Sequence, residues 1–107
     1  MSDQVFVVVV EEAPLFSLGQ LLITQGVAQL IQEQGVELGP YVRRHHHGDW
    51  GDLCSEDRQL NNNALYNGSR LLSAYTLPNG EKIWIITDAE VMDGVRLVTT
   101  ILKPEEY

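Results

Sequence analysis

Apolar and polar positions divide the chain into a mixed front half and a strand-rich final third. Val5-Phe6-Val7-Val8-Val9-Val10 is an unbroken, mostly β-branched run, the composition of a strand buried on both faces. Glu11-Glu12-Ala13-Pro14 ends it. Left as an exposed edge, such a run would template aggregation, so it must be covered, paired centrally or placed at a subunit contact. A homodimer through Val5–Val10 is one expectation. Leu15 to Ile23 gathers Leu, Phe and Ile around Gly19 and predicts a second strand. Thr24 is a good N-cap for a helix over Gln25 to Gln34, with Gly35 as its C′ residue. Val27, Leu30 and Ile31 give that helix one apolar face. Pro40 suits the first turn of another helix, running through Tyr41, Val42 and the histidines to a stop at Gly48. Ser55 reads as the next N-cap, with Glu56 and Asp57 favouring a helix N-terminus. That helix runs to about Tyr66 on a narrow stripe of Leu60, Ala64 and Leu65, and Asn67-Gly68 ends it.

Beyond Arg70 the period changes. Leu71–Leu77, Ile83–Thr87 and Val95–Leu102 are strand-like runs. Pro78-Asn79-Gly80 joins the first two as a tight hairpin. Ile83, Ile85 and Thr87 share one face of the middle strand, Trp84 and Ile86 the other. Both faces are apolar, which places this strand centrally with helices on at least one side. The expected fold is α+β: a mostly antiparallel sheet with a C-terminal three-stranded meander, packed by about three helices. At 107 residues there is room for one core, so residues 1–107 form a single domain.

Composition narrows the function classes. Fifteen acids against seven bases give a net charge of −8, and Lys occurs only at positions 82 and 103. Such a chain is repelled by phosphate backbones unless its arginines gather on one face, so general nucleic-acid binding is disfavoured. A protein partner, or mimicry of nucleic acid by an acidic face, suits the charge better. Cys54 is the lone cysteine, so no intrachain disulfide forms, which fits a reducing compartment. The N-terminus lacks the basic region of a signal peptide, and no segment approaches the roughly 20 apolar residues needed to cross a bilayer. A cytoplasmic protein without membrane association is expected.

The chemistry-bearing residues concentrate in Arg43-Arg44-His45-His46-His47-Gly48-Asp49-Trp50-Gly51-Asp52. Neighbouring helical side chains diverge by about 100°, so the three imidazoles cannot converge on one metal. A zinc site would need Cys54, Asp49 or Asp52, and no spacing matches a zinc pattern; no metal is assigned. Beside a carboxylate such as Asp49 or Asp52, His45 could act as a general acid or base with a raised pKa, while Arg44 stabilises an anion. His45, Asp49 and Arg44 are thus the candidate catalytic group, and Trp50 and Asp52 the candidate binding residues. The bland alternative is a helix stop and turn: Asp49 bonds nearby amides, Trp50 anchors the loop in the core, and the histidines sit solvated beside the helix dipole. There is no Gly-x-Ser-x-Gly elbow, phosphate loop or dinucleotide fingerprint, and no cofactor is assigned.

Three stretches carry a family likeness: Leu15–Gln20, Arg44 to Gly51, and Asn67–Tyr75 with Ile83–Thr87 following, joined by the closing Leu102–Tyr107. In these the chain resembles a group of short proteins of plasmids and other mobile elements, whose function is unknown and which therefore supply no catalytic residue. In the order of its elements, histidine-bearing helices before an antiparallel sheet, it is also similar to small ribonuclease toxins of the RelE and barnase-like type. Two functions follow as expectations. One is a non-enzymatic accessory protein of mobile elements that acts on a protein partner. The other is an enzyme that cleaves RNA or nucleotides with His45, Asp49 and Arg44.

Overall fold

A computed structural model describes residues Ala13–Tyr107; the Val5–Val10 run, and the subunit contact read from it, lie outside the described residues. The described residues are α+β, with three helices and a four-stranded mixed sheet. Strand β1 (Gln20–Ile23) precedes helices α1 (Gln25–Gln34), α2 (Gly39–His46) and α3 (Ser55–Asn67). Strands β2 (Leu71–Thr76), β3 (Lys82–Thr87) and β4 (Val98–Leu102) follow, and a 3-10 turn, Pro104–Glu106, closes the chain.

Local chemistry sets most boundaries. The Thr24 hydroxyl accepts the Val27 N–H at the start of α1, and Gly35 ends it by donating to the Ile31 carbonyl. Pro40 lies in the first turn of α2, where its missing N–H costs nothing. In α3 the N-cap is Cys54, one residue before the expected Ser55, and it makes no side-chain capping bond. The Gly68 N–H caps its far end on the Ala64 carbonyl. The Asn79-Gly80 hairpin joins β2 to β3 through the Leu77 N–H to Glu81 carbonyl bond of 2.7 Å.

The sheet order is β1-β4-β3-β2, with β2 and β4 antiparallel to β3 on either side and β1 parallel to β4. Two of the three pairings are antiparallel, as expected, and the parallel β1–β4 pair makes the sheet mixed. Three helices separate β1 from β2, a connection long enough for β1 to pair in parallel with the last strand. Two expected strands are also shorter. Leu15 to Gly19 is not strand: the Leu15 N–H bonds the His46 carbonyl at the end of α2, and the Leu18 carbonyl receives the Thr99 hydroxyl. Val95 to Leu97 precedes β4 because Val91 and Val95 close a turn of their own and Arg96 is directed inward.

One sheet face forms the core. Val27 and Leu30 of α1 pack with Tyr75, Leu77, Ile83, Ile85 and Ile101, flanked by Val36, Leu38, Tyr41 and Val42. Ile31, expected on the buried face of α1, is 36% exposed. A second cluster joins Trp50, Ala64 and Leu71 to Phe16, Leu53 and Leu65. Leu60 faces solvent, and the buried stripe of α3 is Asn61 and Ala64 instead. Each fully buried aliphatic side chain contributes roughly 1.5–3 kcal/mol.

The two sheet edges differ. Along β2, the Asn61 side chain both accepts the Leu72 N–H (3.1 Å) and donates to the Leu72 carbonyl (2.6 Å), as a neighbouring strand would. The Trp50 carbonyl and Asp52 N–H pair with Ala74 in the same way. Gly51 is essential to that approach: its φ is +76°, and a Cβ there would lie 1.9 Å from the Ala74 oxygen. At the opposite edge, β1 has one partner strand among the described residues, β4, and all four of its residues are exposed.

Trp50 is 4% exposed, and its indole N–H donates to Asn62 Oδ1 at 3.0 Å. Trp50→Ala is expected to cost about 3–5 kcal/mol, a large share of the roughly 5–15 kcal/mol available to a domain. Urea unfolding measures it; an unchanged midpoint would show that the ring does not anchor the loop.

Candidate functional site

The segment from Arg43 to Asp52 is divided by the helical period into an inner and an outer set. His45 points inward and is 0% exposed, with Ser73 and Thr87 equally buried beside it. Its Nδ1 lies 2.5 Å from Ser73 Oγ and its Nε2 2.9 Å from Thr87 Oγ1. Thr87 Oγ1 is 2.8 Å from Thr99 Oγ1, which donates to the Leu18 carbonyl at 2.7 Å. A carbonyl only accepts, so every proton in this chain has one place to go. Thr99 gives its proton to Leu18, Thr87 gives its own to Thr99, and His45 Nε2–H donates to Thr87. Nδ1 is left to accept from the Ser73 hydroxyl. The imidazole is therefore the neutral Nε2–H tautomer. Phe16 and Trp50 meet it with ring centroids 5.1 and 5.8 Å away, both edge-on.

Burial pushes the His45 pKa down to about 3, and the charges of His46 and Arg96 add to the shift. The sequence led to the opposite expectation, a surface histidine raised by a neighbouring carboxylate. That expectation is corrected, because neither carboxylate reaches the ring. Asp49 instead accepts from Arg44 Nε (2.7 Å) and Nη2 (3.3 Å) and from the Gly51 N–H (3.2 Å). The Arg44 guanidinium beside it holds the Asp49 carboxyl below the usual carboxylate range. Arg44 also lies over the Tyr75 ring, 4.6 Å from its centroid, and the Tyr75 hydroxyl donates to the Asp49 carbonyl at 2.5 Å. Asp52 accepts from the Thr76 hydroxyl at 2.8 Å. The five predicted site residues are thus brought into one region, but Arg44, Asp49 and Asp52 close the turn after α2 while His45 and Trp50 sit behind it. Arranged so, His45 has no path to a substrate.

The outer set faces an open groove of about 820 Å³ between β1 and α2. Its apolar floor is Pro14, Leu21, Leu38 and Val42, and Arg43, Arg44, His46, His47 and Asp49 line the remainder. His46 Nε2–H donates to the Phe16 carbonyl at 2.8 Å, and His47 Nδ1–H to the Arg43 carbonyl at 2.9 Å. Beside the groove, Leu21, Leu22 and Ile23 of β1 are 42–46% exposed. Two of the chain's seven basic side chains, and two of its three histidines, are therefore gathered at one apolar groove of an acidic protein.

Sequence reasoning missed two further organising residues. Arg96 is 3% exposed and donates to the carbonyls of Ser69 (2.6 Å), Asp88 (3.1 Å) and Ala64 (3.0 Å), with Glu90 4.0 Å away. It ties the end of α3 to the β3–β4 connection. A single Arg within the apolar stretch Val95-Arg96-Leu97-Val98 was its available signal. Asn61 had a weaker one, a polar residue where α3 otherwise lacks a buried stripe.

Comparison of the chain with protein-family models, with curated protein sequences and with solved structures returned no match.

The His45 arrangement has a pH consequence of definite sign. Below about pH 6.5 the unfolded histidine takes up a proton that the folded one refuses until about pH 3. Folding stability should therefore fall with falling pH across that window, by about 1.4 kcal/mol per unit well below the unfolded pKa. Depressed carboxylates such as Asp49 act in the same direction but at lower pH. The interval from pH 6.5 to 5 isolates the histidine. Urea unfolding should show a slope there that His45→Gln flattens, and ¹⁵N NMR should find Nε2 protonated and Nδ1 bare down to about pH 4. A His45 that titrates near pH 6.5 in the folded protein would disprove the arrangement.

Proposed function

We propose that the chain is a small interaction domain that binds an extended segment of a protein partner at the groove between β1 and α2. The observation that carries this reading is the meeting of an exposed sheet edge with an apolar groove bordered by basic side chains. An extended peptide laid beside β1 would gain main-chain hydrogen bonds, and alternate side chains would enter pockets, the β-augmentation mode of recognition. Leu21, Leu38 and Val42 favour apolar anchors, and Arg43 with His46 favours acids beside them. The resemblance to short proteins of plasmids and other mobile elements supports an accessory role in such elements, with the partner a cytoplasmic protein. The competing RNA- or nucleotide-cleaving reading loses its base, because both nitrogens of His45 are engaged inside the core.

A displayed library of random peptides should yield binders in which apolar residues adjoin acids. Leu21→Glu and Arg43→Glu, both at exposed positions, should weaken those binders by about tenfold, near 1.4 kcal/mol, without lowering the melting temperature. No enrichment, or binders indifferent to both substitutions, would overturn the proposal.

A further inference from the structure

The connection between β3 and β4 displays apolar side chains instead of burying them. Val91, Met92, Val95 and Leu97 are 36–66% exposed, and clustered apolar exposure of this kind marks contact with another molecule. The display is also rigid. The Val91 N–H bonds the Val95 carbonyl and the Val95 N–H the Met92 carbonyl, both at 2.9 Å, and Gly94 closes the turn at a φ of +76°. Beneath it, buried Arg96 donates to the Asp88 carbonyl, the Glu90 N–H bonds the Gly68 carbonyl at 2.8 Å, and Ser17 Oγ accepts the Arg96 N–H at 3.1 Å. A surface held ready by the fold loses little conformational freedom on binding.

The tip is acidic as well as apolar. Asp93 is exposed between Met92 and Gly94, whereas Glu90 is turned back towards Arg96. A carboxylate beside apolar side chains complements the groove between β1 and α2, where Leu21, Leu38 and Val42 form the floor and exposed Arg43 stands on the rim. No residue of the turn lines the groove of its own chain. With the turn clamped by Arg96, the two surfaces meet only between copies. Each copy carries a net charge of −8, but at physiological salt the screening length is about 8 Å. Repulsion is then confined to the facing surfaces, and these are opposite in sign.

We propose that the turn at residues 91–95 of one copy seats in the groove of a second copy, with Val91 and Met92 on the apolar floor and Asp93 beside Arg43. This rests on the reading of the groove as a binding surface for apolar residues beside acids, and it names the occupant. The contact joins unlike surfaces, so two copies that exchange turns close into a dimer, and copies that do not exchange form open chains.

The test uses the full chain in light scattering and sedimentation across a concentration series. Wild type should self-associate. Met92→Asp, and separately Leu21→Glu/Arg43→Glu, should each raise the Kd by about tenfold or more and leave the melting temperature unchanged, since all three positions are exposed. Mixing the two variants should restore a 1:1 complex, because one keeps an intact groove and the other an intact turn. Library peptides that bind the groove should dissociate the wild-type assembly. A wild type that stays monomeric would overturn the inference, while library peptides that still bind would leave the groove reading standing. Absence of both would remove the two together. Association indifferent to Leu21→Glu/Arg43→Glu and to peptide would place the contact elsewhere and overturn the inference. Loss in both variants without rescue on mixing would mean that like surfaces meet, and would overturn it equally.

Discussion

A neutral imidazole held in the core constrains the rest of the structure. Burying His45 is tolerable only if both ring nitrogens are satisfied, since an unmet buried polar group costs about 1–3 kcal/mol. The two partners come from different strands, Ser73 of β2 and Thr87 of β3, and the next hydroxyl, Thr99, comes from β4. These three residues share a face and come within bonding reach in the observed register, in which Ser73 opposes Ile85 and Thr87 opposes both Leu71 and Thr99. A slip of one residue would turn each hydroxyl to the other face. The polar chain therefore fixes the register of three strands and the height of α2 above them. Ending on the Leu18 carbonyl, it also fixes the segment that leads into β1. Among the described residues no buried side-chain nitrogen or oxygen lacks a partner, the condition under which such a network rigidifies a core.

The same arrangement explains why the two edges of the sheet are unlike. The turn after α2, closed by Arg44, Asp49 and Tyr75, delivers Trp50, Gly51 and Asp52 to the β2 edge, and Asn61 completes it. Backbone groups there are used up, as edge strands require if they are not to recruit other chains. No comparable device stands at β1 among the described residues. Protection at one edge and apolar exposure at the other is the asymmetry on which the proposed peptide groove rests.

Much of this fold was legible where its causes are local. The Thr24 and Gly35 caps, Pro40, the Asn79-Gly80 hairpin and the inward face of Ile83, Ile85 and Thr87 are each decided within a few residues. What could not be read depends on distance along the chain. Ser73 and Thr87 are 28 and 42 positions from His45, so nothing near the histidine announced that it would be buried and neutral. Asp49 carried the right charge at the right spacing to pair with His45, but Arg44 offered two nitrogens and took it. Trp50 as a core anchor was legible because its flanking glycines signal a tight turn. The parallel pairing of β1 with β4 was not, because the alternation of a four-residue strand does not encode its partner.

Helical geometry then separates what the sequence had run together. In Arg43-Arg44-His45-His46-His47, successive side chains turn by about 100°, so one residue of the five is committed to the core while its neighbours face the groove. The composition that suggested a catalytic cluster is thus two structures in one segment: an uncharged internal post and a basic outer rim. Burial holds the internal imidazole uncharged down to about pH 3, whereas the rim side chains lie outside the core. A change on the outer side of α2 therefore leaves the hydroxyl chain around His45 in place, although the two sets of side chains are adjacent in sequence.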